Sequence, residues 1–344
     1  MKSGNKKYSL LLLCTAAILA AGISGGCSKQ QKKTQSDTEK YQENKVTEAN
    51  QKDLEQENVQ SFTFTDDLGR EVTVAHPQRV AALLGSYADI WYLAGGTVCA
   101  APDDAWEDFE LPLTEDVINL GMTKELSLEK LFESEPDLIL ASSLTKDHVD
   151  WLETLEAAGI PTAYFEVSVF EDYLRMLNIC TQITGREELY EQHGLLVEKE
   201  IKEVIASSQK RLEAAGEAPT VLSLRASSTF IRAKNSKENV LGEMLKSLGC
   251  VNIADYEEAL LENLSMEHII EQDPDYIFFV QQGDNEEGTK ANIENFIADH
   301  PAWSGLSAVK NGKVYLLEKE LYGLKPNERW SEAYRHLEGI LANE

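Results

Sequence analysis

Two glutamates, Glu129 and Glu267, occupy the same position in a sequence unit that occurs twice. Residues 126–140 align without gaps on residues 264–278, with seven of fifteen positions identical at a constant offset of 138. In both copies a serine precedes a short apolar-periodic stretch, which predicts a capped helix of about two turns with the glutamate in its first turn. A carboxylate held there suits a cationic partner, preferably a bidentate arginine. It equally suits compensation of the helix dipole, worth about 0.3–1 kcal/mol, and both interpretations stay open.

A second group of polar side chains follows the predicted strands. Open α/β sheets bind their ligands beyond the carboxyl ends of the strands, so side chains at those ends are predicted to line one ligand cleft. Two further residues come from the loop before the last predicted helix and could close one side of the cleft. The candidates are Ser86, Tyr87, Ser142, Ser143, Arg225, Gln281, Gln282, Tyr322 and Lys325.

Four cations near these strand ends stand out in a strongly acidic chain. They are Arg225, Arg232, Lys234 and Lys325, in a sequence with 32 Lys+Arg against 59 Asp+Glu and a formal net charge of -27. Cations in a cleft favour an anionic ligand such as a ferric chelate, whereas the alternative is an ordinary solvated position. The overall charge argues against nucleic acid as a partner, because phosphate binding needs a basic stripe.

Neither a metal centre nor a catalytic site is predicted. The six histidines are scattered and no pair has ligand spacing. The sequence has no GxSxG, P-loop or HExxH motif, and the turn around Ser86 lacks the second glycine of a nucleophile elbow. A single axial His or Tyr for haem is compatible with the sequence, although His300 reads more simply as a surface residue. The residues therefore predict a binding protein that needs no cofactor, rather than an enzyme.

Of the five cysteines, three are left once the N-terminal segment is set aside. Cys14 lies inside a predicted export signal and Cys27 directly follows it. Cys99, Cys180 and Cys250 form an odd, widely spaced trio, which is not a disulfide framework and has no CxxC metal spacing. Buried free thiols are predicted.

Residues 1–26 have the three parts of an export signal: a lysine-rich start, an apolar run over 10–21 and small residues before Cys27. The segment resembles a bacterial lipoprotein signal, in which Cys27 would carry diacylglycerol. The match is imperfect, because Ser24 stands where such signals usually have Leu, and a secreted protein cut nearby is the alternative. Residues 28–60 are almost free of apolar side chains and are predicted to form a disordered tether. This places the protein on the extracytoplasmic face of the cell membrane, anchored by lipid.

The rest of the chain alternates predicted strands and helices, which indicates an α/β fold. After the signal (1–26) and the tether (27–60), the predicted parts are an N-terminal α/β lobe (61–170), a bridging helical segment (171–216) and a C-terminal α/β lobe (217–344). The first lobe opens with a hairpin. Its strands, residues 61–65 and 71–74, alternate apolar and polar residues, and the turn DDLG at 66–69 lies between them. The bridging segment includes a helix from Arg186 to Ala214, about 43 Å long at about 1.5 Å per residue.

Several segments together resemble the substrate-binding proteins of importers for iron-siderophores, haem and cobalamin. They are TDDLGR at 65–70, the two Leu-Ser-x-Glu units each followed by Pro-Asp, LGEML at 241–245, AVKNGKVY at 308–315 and KPNER at 325–329. The resemblance covers residues 62–341. It implies the class III periplasmic-binding-protein fold, with two Rossmann-like lobes joined by a single long α-helix.

The resemblance also implies a function. A protein of this family captures an iron complex, most often a siderophore, in the interlobe cleft and delivers it to an ABC permease and its ATPase. One glutamate on each lobe docks against permease arginines, and the matching residues here are Glu129 and Glu267. Haem or cobalamin as the ligand is one alternative. A surface sensor or co-receptor without a transport role is another. A monomer without enzyme activity is expected.

Overall fold

The computed structural model describes residues 61–342 except 238, 257 and 284, and all of these belong to one compact unit. The predicted signal, Cys27 and the predicted tether lie outside the described residues. Within the described part of the chain, no helix combines the length and the apolar character that crossing a bilayer requires. Cys180 and Cys250 are buried free thiols as predicted, and Cys99 is free and partly buried.

The predicted hairpin opens the described chain. β1 (Phe62–Thr65) pairs antiparallel with β2 (Glu71–Val74), and one residue in two is buried along β2. Asp66 organises the turn, since its Oδ1 accepts the backbone N–H of Arg70 at 2.9 Å and its Oδ2 accepts the guanidinium of Arg70 at 2.6 Å. The carboxylate of Asp66 is fully buried, so the turn residues are fixed by a paired charge and not only by turn propensity.

The next segment alternates strands and helices and forms a five-stranded parallel sheet. In chain order the elements are β3 (Val80–Ala82), α1 (Gly85–Leu93), β4 (Val98–Ala101), α2 (Asp104–Glu107), β5 (Ile118–Asn119), α3 (Leu128–Glu133), β6 (Leu138–Ser142), α4 (Lys146–Asp150), α5 (Leu152–Ala157) and β7 (Thr162–Phe165). The strand order is β5-β4-β3-β6-β7, with every neighbouring pair parallel. All five carboxyl ends therefore lie along one edge.

A helical segment leads from this sheet to the next one. α6 (Phe170–Thr184) ends at Gly185, whose φ of +69° is the left-handed conformation that favours glycine. Helix then continues through α7 (Glu187–Tyr190), a π-helical turn (Glu191–Leu195) and α8 (Leu196–Ala215). The predicted long helix is confirmed to within one residue at either end. Its π-helical turn was not predicted.

The second sheet follows the same plan with one antiparallel addition. Its elements are β8 (Thr220–Ala226), β9 (Ile231–Lys234), α9 (Val240–Ser247), β10 (Val251–Asn252), a 3-10 turn (Ile253–Asp255), α10 (Glu258–Asn263), α11 (Met266–Gln272), β11 (Tyr276–Gln281), α12 (Glu286–Asp299), a 3-10 turn (Pro301–Gly305), α13 (Ser307–Lys310), β12 (Val314–Leu317), α14 (Lys319–Tyr322), a 3-10 turn (Asn327–Arg329) and α15 (Trp330–Leu341). The parallel strands are ordered β10-β8-β11-β12, and β9 pairs antiparallel with β8. The β8–β9 hairpin was not predicted.

One apolar core connects the two sheets. It contains Leu138 and Leu140 from the first sheet, Val221 and Phe278 from the second, and side chains of α6, α8 and α15 between them. Two further clusters cover the opposite face of each sheet. Because burial of apolar surface is the main stabilising term, the shared core holds the two halves together without depending on the bridging helix alone.

The repeated unit forms equivalent short helices, α3 and α11, each leading into a buried strand. The hydroxyl of Ser127 caps α3, accepting the backbone N–H of Lys130 at 3.2 Å. Ser265 holds the same position before α11 with extended backbone, but its side chain makes no cap hydrogen bond, so its predicted capping role is wrong. The repeat in the sequence predicted the position of both serines before their helices, but not the orientation of the Ser265 hydroxyl.

This difference predicts unequal stability losses from matched substitutions. Ser127→Ala should lower the free energy of unfolding by about 1 kcal/mol, because an orphan helix N–H loses its acceptor. Ser265→Ala should change it by no more than about 0.3 kcal/mol, since no cap bond is lost. Urea unfolding curves for the two variants measure the difference directly. Equal losses would show that the two caps contribute alike.

Candidate functional site

The turn between β3 and α1 packs tightly against α2. The backbone N–H of Gly85 donates to Asp104 Oδ1 at 3.1 Å, and a Cβ on Gly85 would lie 2.7 Å from the backbone nitrogen of Ala105. Glycine is therefore required at this turn, and Ser86 after it is buried. Burial raises the pKa of Asp104 to about 6, although the N–H of Gly85 opposes that shift.

Tyr87 lies beneath this edge of the first sheet. Its ring is fully buried, and its hydroxyl donates to the backbone oxygen of Phe165 at 2.8 Å. Burial raises the pKa of Tyr87. The hydroxyl is thus engaged within the protein and the ring is not exposed, so the position supports a contact of Tyr87 with Lys325 rather than with a ligand.

The β8–β9 hairpin gathers three of the four cations that the sequence singled out. Arg225 is directly opposite Arg232 and Lys234 is opposite Ser223, so Arg225, Arg232 and Lys234 share one face of the hairpin. The other face packs into an apolar cluster through Leu224 and its neighbours. Arg225 and Lys234 are partly buried, and burial lowers the pKa of both side chains; the positive charges of Arg225 and Arg232 lower that of Lys234 further.

Lys325 brings the fourth cation to the same region. Its Nζ lies 6.0 Å from the centroid of the Tyr87 ring, a cation–π contact between the second half of the chain and the first. Burial lowers the pKa of Lys325, the carboxylate of Asp104 raises it, and the guanidinium of Arg225 lowers it. Lys325 therefore lies between an acidic group of the first half and a basic group of the second.

None of these cations has a carboxylate partner among the residues that the structure describes. Across the described residues, Arg225, Arg232, Lys234 and Lys325 form no salt bridge, whereas cations elsewhere on the chain pair repeatedly. An unpaired, partly buried cation is costly unless a ligand supplies the missing negative charge. The arrangement suits an anion placed between Lys325 and the β8–β9 hairpin.

The carboxyl ends of the two sheets face each other across this region. Lys319, which follows β12, pairs with Asp108 beyond α2 at 2.6 Å, and both side chains are mostly buried. The sequence did not reveal this pair or the position of Asp104. No local sequence pattern predicts these contacts, because the residues that meet are distant in the chain.

Two of the remaining predicted cleft residues, Ser142 and Gln281, differ in how far they are buried. Ser142 is buried, and its Oγ accepts the backbone N–H of Leu144 at 3.2 Å. Gln281 is partly buried, and its amide donates to the backbone oxygen of Gly283 at 2.9 Å. Both lie at the carboxyl ends of central strands, where the cleft rule puts them.

Tyr322 does not face the cations. It is buried, and its hydroxyl donates to the backbone oxygen of Ala333 at 3.1 Å with His336 Nδ1 at 2.9 Å. The sequence predicted it in a loop before the last helix, whereas it ends the short helix α14 and its side chain packs against α15. The position does not support direct ligand contact by Tyr322.

Glu129 and Glu267 lie in the first turns of α3 and α11. Both side chains are exposed, and neither forms a salt bridge within the described part of the chain. Each carboxylate is therefore accessible to an external cation, on a rigid short helix.

In the described ranges, no group of three or more His, Cys, Asp or Glu side chains is arranged to hold a metal ion. His300 Nδ1 lies 2.7 Å from the backbone oxygen of Phe296, at the end of α12, and its ring packs against that of Phe296.

Comparisons with known proteins agree with this architecture. A family model described as periplasmic binding protein matches residues 80–321. The Fe(3+)-citrate-binding protein YfmC of Bacillus subtilis is 25% identical over 336 residues, covering 93% of this chain and 94% of YfmC. Staphylococcus aureus SirA complexed with staphyloferrin B has a TM-score of 0.63 at 18% identity, covering 82% of this chain and 98% of SirA. Staphylococcus aureus IsdE complexed with haem has a TM-score of 0.63 at 16% identity, with 76% and 98% covered.

Proposed function

Because the chain belongs to the periplasmic binding protein family, we propose that it is the solute-binding protein of an ABC importer for an anionic ferric chelate, most simply a ferric siderophore. The chelate binds where the carboxyl ends of the two sheets face each other. The protein then delivers it to the permease, whose ATPase drives import. Cys27 carries the lipid that keeps the protein on the extracytoplasmic face of the membrane, where it acts as a monomer.

The observation that carries this proposal is the set of unpaired cations around the cleft. Arg225, Lys234 and Lys325 are partly buried and have no carboxylate partner within the described ranges, in a chain with a net charge of -27. A polycarboxylate or catecholate complex of Fe(III) carries the negative charge that would compensate their lost hydration. The relative YfmC is named for iron citrate, a polycarboxylate complex, which is consistent with this charge.

Binding without chemical conversion fits the same side chains. The hydroxyl of Tyr87 donates to a backbone oxygen and Ser142 Oγ accepts a backbone N–H, and within the described residues neither is hydrogen-bonded to a general base that could activate it. Haem, which carries two carboxylates, is the alternative ligand that the cations would also accept. Cobalamin offers them less negative charge, and a surface co-receptor would bind a chelate without importing it.

The proposal predicts saturable, salt-sensitive binding of one anionic ferric chelate. Titration of intrinsic tryptophan fluorescence with ferric citrate, ferric catecholates, ferric hydroxamates, haem and cobalamin should give one-to-one quenching by an anionic iron complex, with a dissociation constant of about 1 μM or tighter. Raising the salt concentration from about 0.05 to 0.5 M should weaken that binding several-fold, because screening reduces cation–anion attraction. Recovery of the chelate unaltered distinguishes binding from catalysis. Preferential, salt-insensitive binding of cobalamin would contradict the proposal.

A further inference from the structure

The segment that carries Lys325 is attached to the first half of the chain through Asn327. Asn327 is fully buried and has a φ of +51°, a left-handed conformation that Asn tolerates better than most residues. Its Nδ2 donates to the backbone oxygen of Ser86 at 2.9 Å and to Asp89 Oδ2 at 2.7 Å. Both acceptors lie in α1, on either side of Tyr87, whose ring faces Lys325. One amide thus ties the loop of Lys325 to the helix that its ammonium group contacts.

This contact leaves one polar atom without a partner. Asn327 Oδ1 is buried and accepts no hydrogen bond from any group in the described residues. A buried acceptor left in this state costs about 1–3 kcal/mol. The amide already touches a carboxyl group, and a protonated carboxyl group can donate to the amide oxygen while accepting from the amide nitrogen. Protonation of Asp89 would therefore supply a donor for the orphaned oxygen.

The surroundings of Asp89 favour the protonated form. Burial raises the pKa of Asp89 to about 6, and the carboxylate of Glu328 raises it further; donation from Asn327 and the charge of His193 oppose the shift. His193 Nδ1 lies 2.6 Å from Glu328 Oε2, so these two groups partly neutralise each other when the imidazole is charged. Tyr173 from α6 is a further titratable group close to Asp89, and its hydroxyl donates to the backbone oxygen of His193.

We propose that Asp89 and Asn327 are positioning residues for Lys325: a neutral carboxyl–amide pair joins the two halves of the chain and holds the lysine over Tyr87, facing the cleft. Neither residue need touch the ligand. Their effect on chelate binding rests on the proposed function, whereas the pair itself and its hold on Lys325 do not. The pair gives a role to Asn327, a residue of the KPNER segment that was not among the predicted cleft residues.

The pair has a definite dependence on pH. Since the pKa of Asp89 is raised above its ordinary value, the stabilisation from the neutral pair is fully present at low pH and is lost as the pH rises through about 6. Ionised Asp89 cannot donate to Asn327 Oδ1, and it sits beside Glu328. Lys325 should therefore be held less firmly at pH 7.5 than at pH 5.

Asp89→Asn is the decisive variant, because its amide can make the same two hydrogen bonds and cannot ionise. With lysines labelled by reductive 13C-methylation, the Lys325 signal is identified by its loss in Lys325→Arg. The pKa of Asp104 is also raised to about 6 and its carboxylate acts on Lys325, so the comparison is made in an Asp104→Asn background. In that background the Lys325 signal should shift between pH 5 and 8 with a midpoint near 6. When Asp89→Asn is added the step should vanish, with the signal staying at its low-pH position. His193→Gln should keep the step and move its midpoint upward, because a neighbouring positive charge is removed.

A second variant tests the tether itself. Asn327→Gly suits the left-handed backbone but removes both hydrogen bonds, so the Lys325 signal should move towards that of an exposed lysine at every pH. The proposal is overturned if Asp89→Asn in the Asp104→Asn background retains the step, if that background alone shows none, or if Asn327→Gly leaves the Lys325 signal in place. None of these outcomes involves a chelate. If the Lys325 step is present but none of the anionic ferric chelates binds in the fluorescence titration, only the proposed ligand class is contradicted.

Discussion

Replacing Glu129 and Glu267 together by alanine should abolish uptake of the chelate while leaving its affinity for the binding protein within about twofold of normal. Both carboxylates are exposed, unpaired in the described chain and carried on short helices that lead into buried strands. Each can form a charge-assisted, bidentate contact with a permease arginine, worth about 1.5–3 kcal/mol. Loss of both should weaken docking by about 10²-fold or more. Neither residue is one of the cations assigned to the ligand, so ligand binding should not change.

The matched control removes the same charge from other helices. Glu153 in α5 and Glu294 in α12 are also exposed, one in each half of the chain. The variant Glu153→Ala with Glu294→Ala should import normally. Radiolabelled iron uptake by cells that carry each variant, together with fluorescence titration of the purified proteins, separates docking from capture. Normal import by the Glu129 and Glu267 variant, or equal loss in the control, would contradict the docking role.

Replacing Arg225 and Lys325 together by glutamine should lower the affinity for an anionic ferric chelate by about 100-fold or more. Each cation is partly buried and unpaired, so its charge is available to the ligand in a region where water screens poorly. Hydrogen bonds to charged groups contribute about 1.5–3 kcal/mol each, and two of them correspond to at least two orders of magnitude. The salt dependence of the residual binding should also become shallower.

The same variant should be at least as stable as the unsubstituted protein. Burial lowers the pKa of both Arg225 and Lys325, which means that each positive charge is held at a cost in the empty protein. A residue kept for structure would show the opposite effect. Arg186→Gln with Lys202→Gln is the control, since both side chains are exposed and paired on the surface with Glu188 and Glu198. That control should keep its affinity, and an equal loss there would show that overall charge, not the cleft, governs binding.

Local patterns predicted most of the elements and several of their ends. The hairpin, the buried strands and the long helix follow from periods of two and 3.6 residues, which can be read over a few turns of chain. The strands β5 and β10 were not predicted, because they are two residues long and carry no readable periodicity. The strand β4 and the antiparallel β9 were not predicted either. The cap at Ser265 was predicted and is wrong, since a serine at an N-cap position must still turn its hydroxyl towards the helix.

The sequence by itself determined the family, the fold class, the equivalence of Glu129 and Glu267 and the presence of cations that are candidates for binding an anionic ligand. These properties depend on residue type, spacing and net charge, all of which are local or additive. Only the tertiary structure decided that Lys325 lies over Tyr87, that Tyr322 turns away from the cations, and that Asn327 meets Asp89 across 238 residues of chain. Contacts between distant segments depend on how the two sheets pack around their shared core, and no pattern within either segment records that packing.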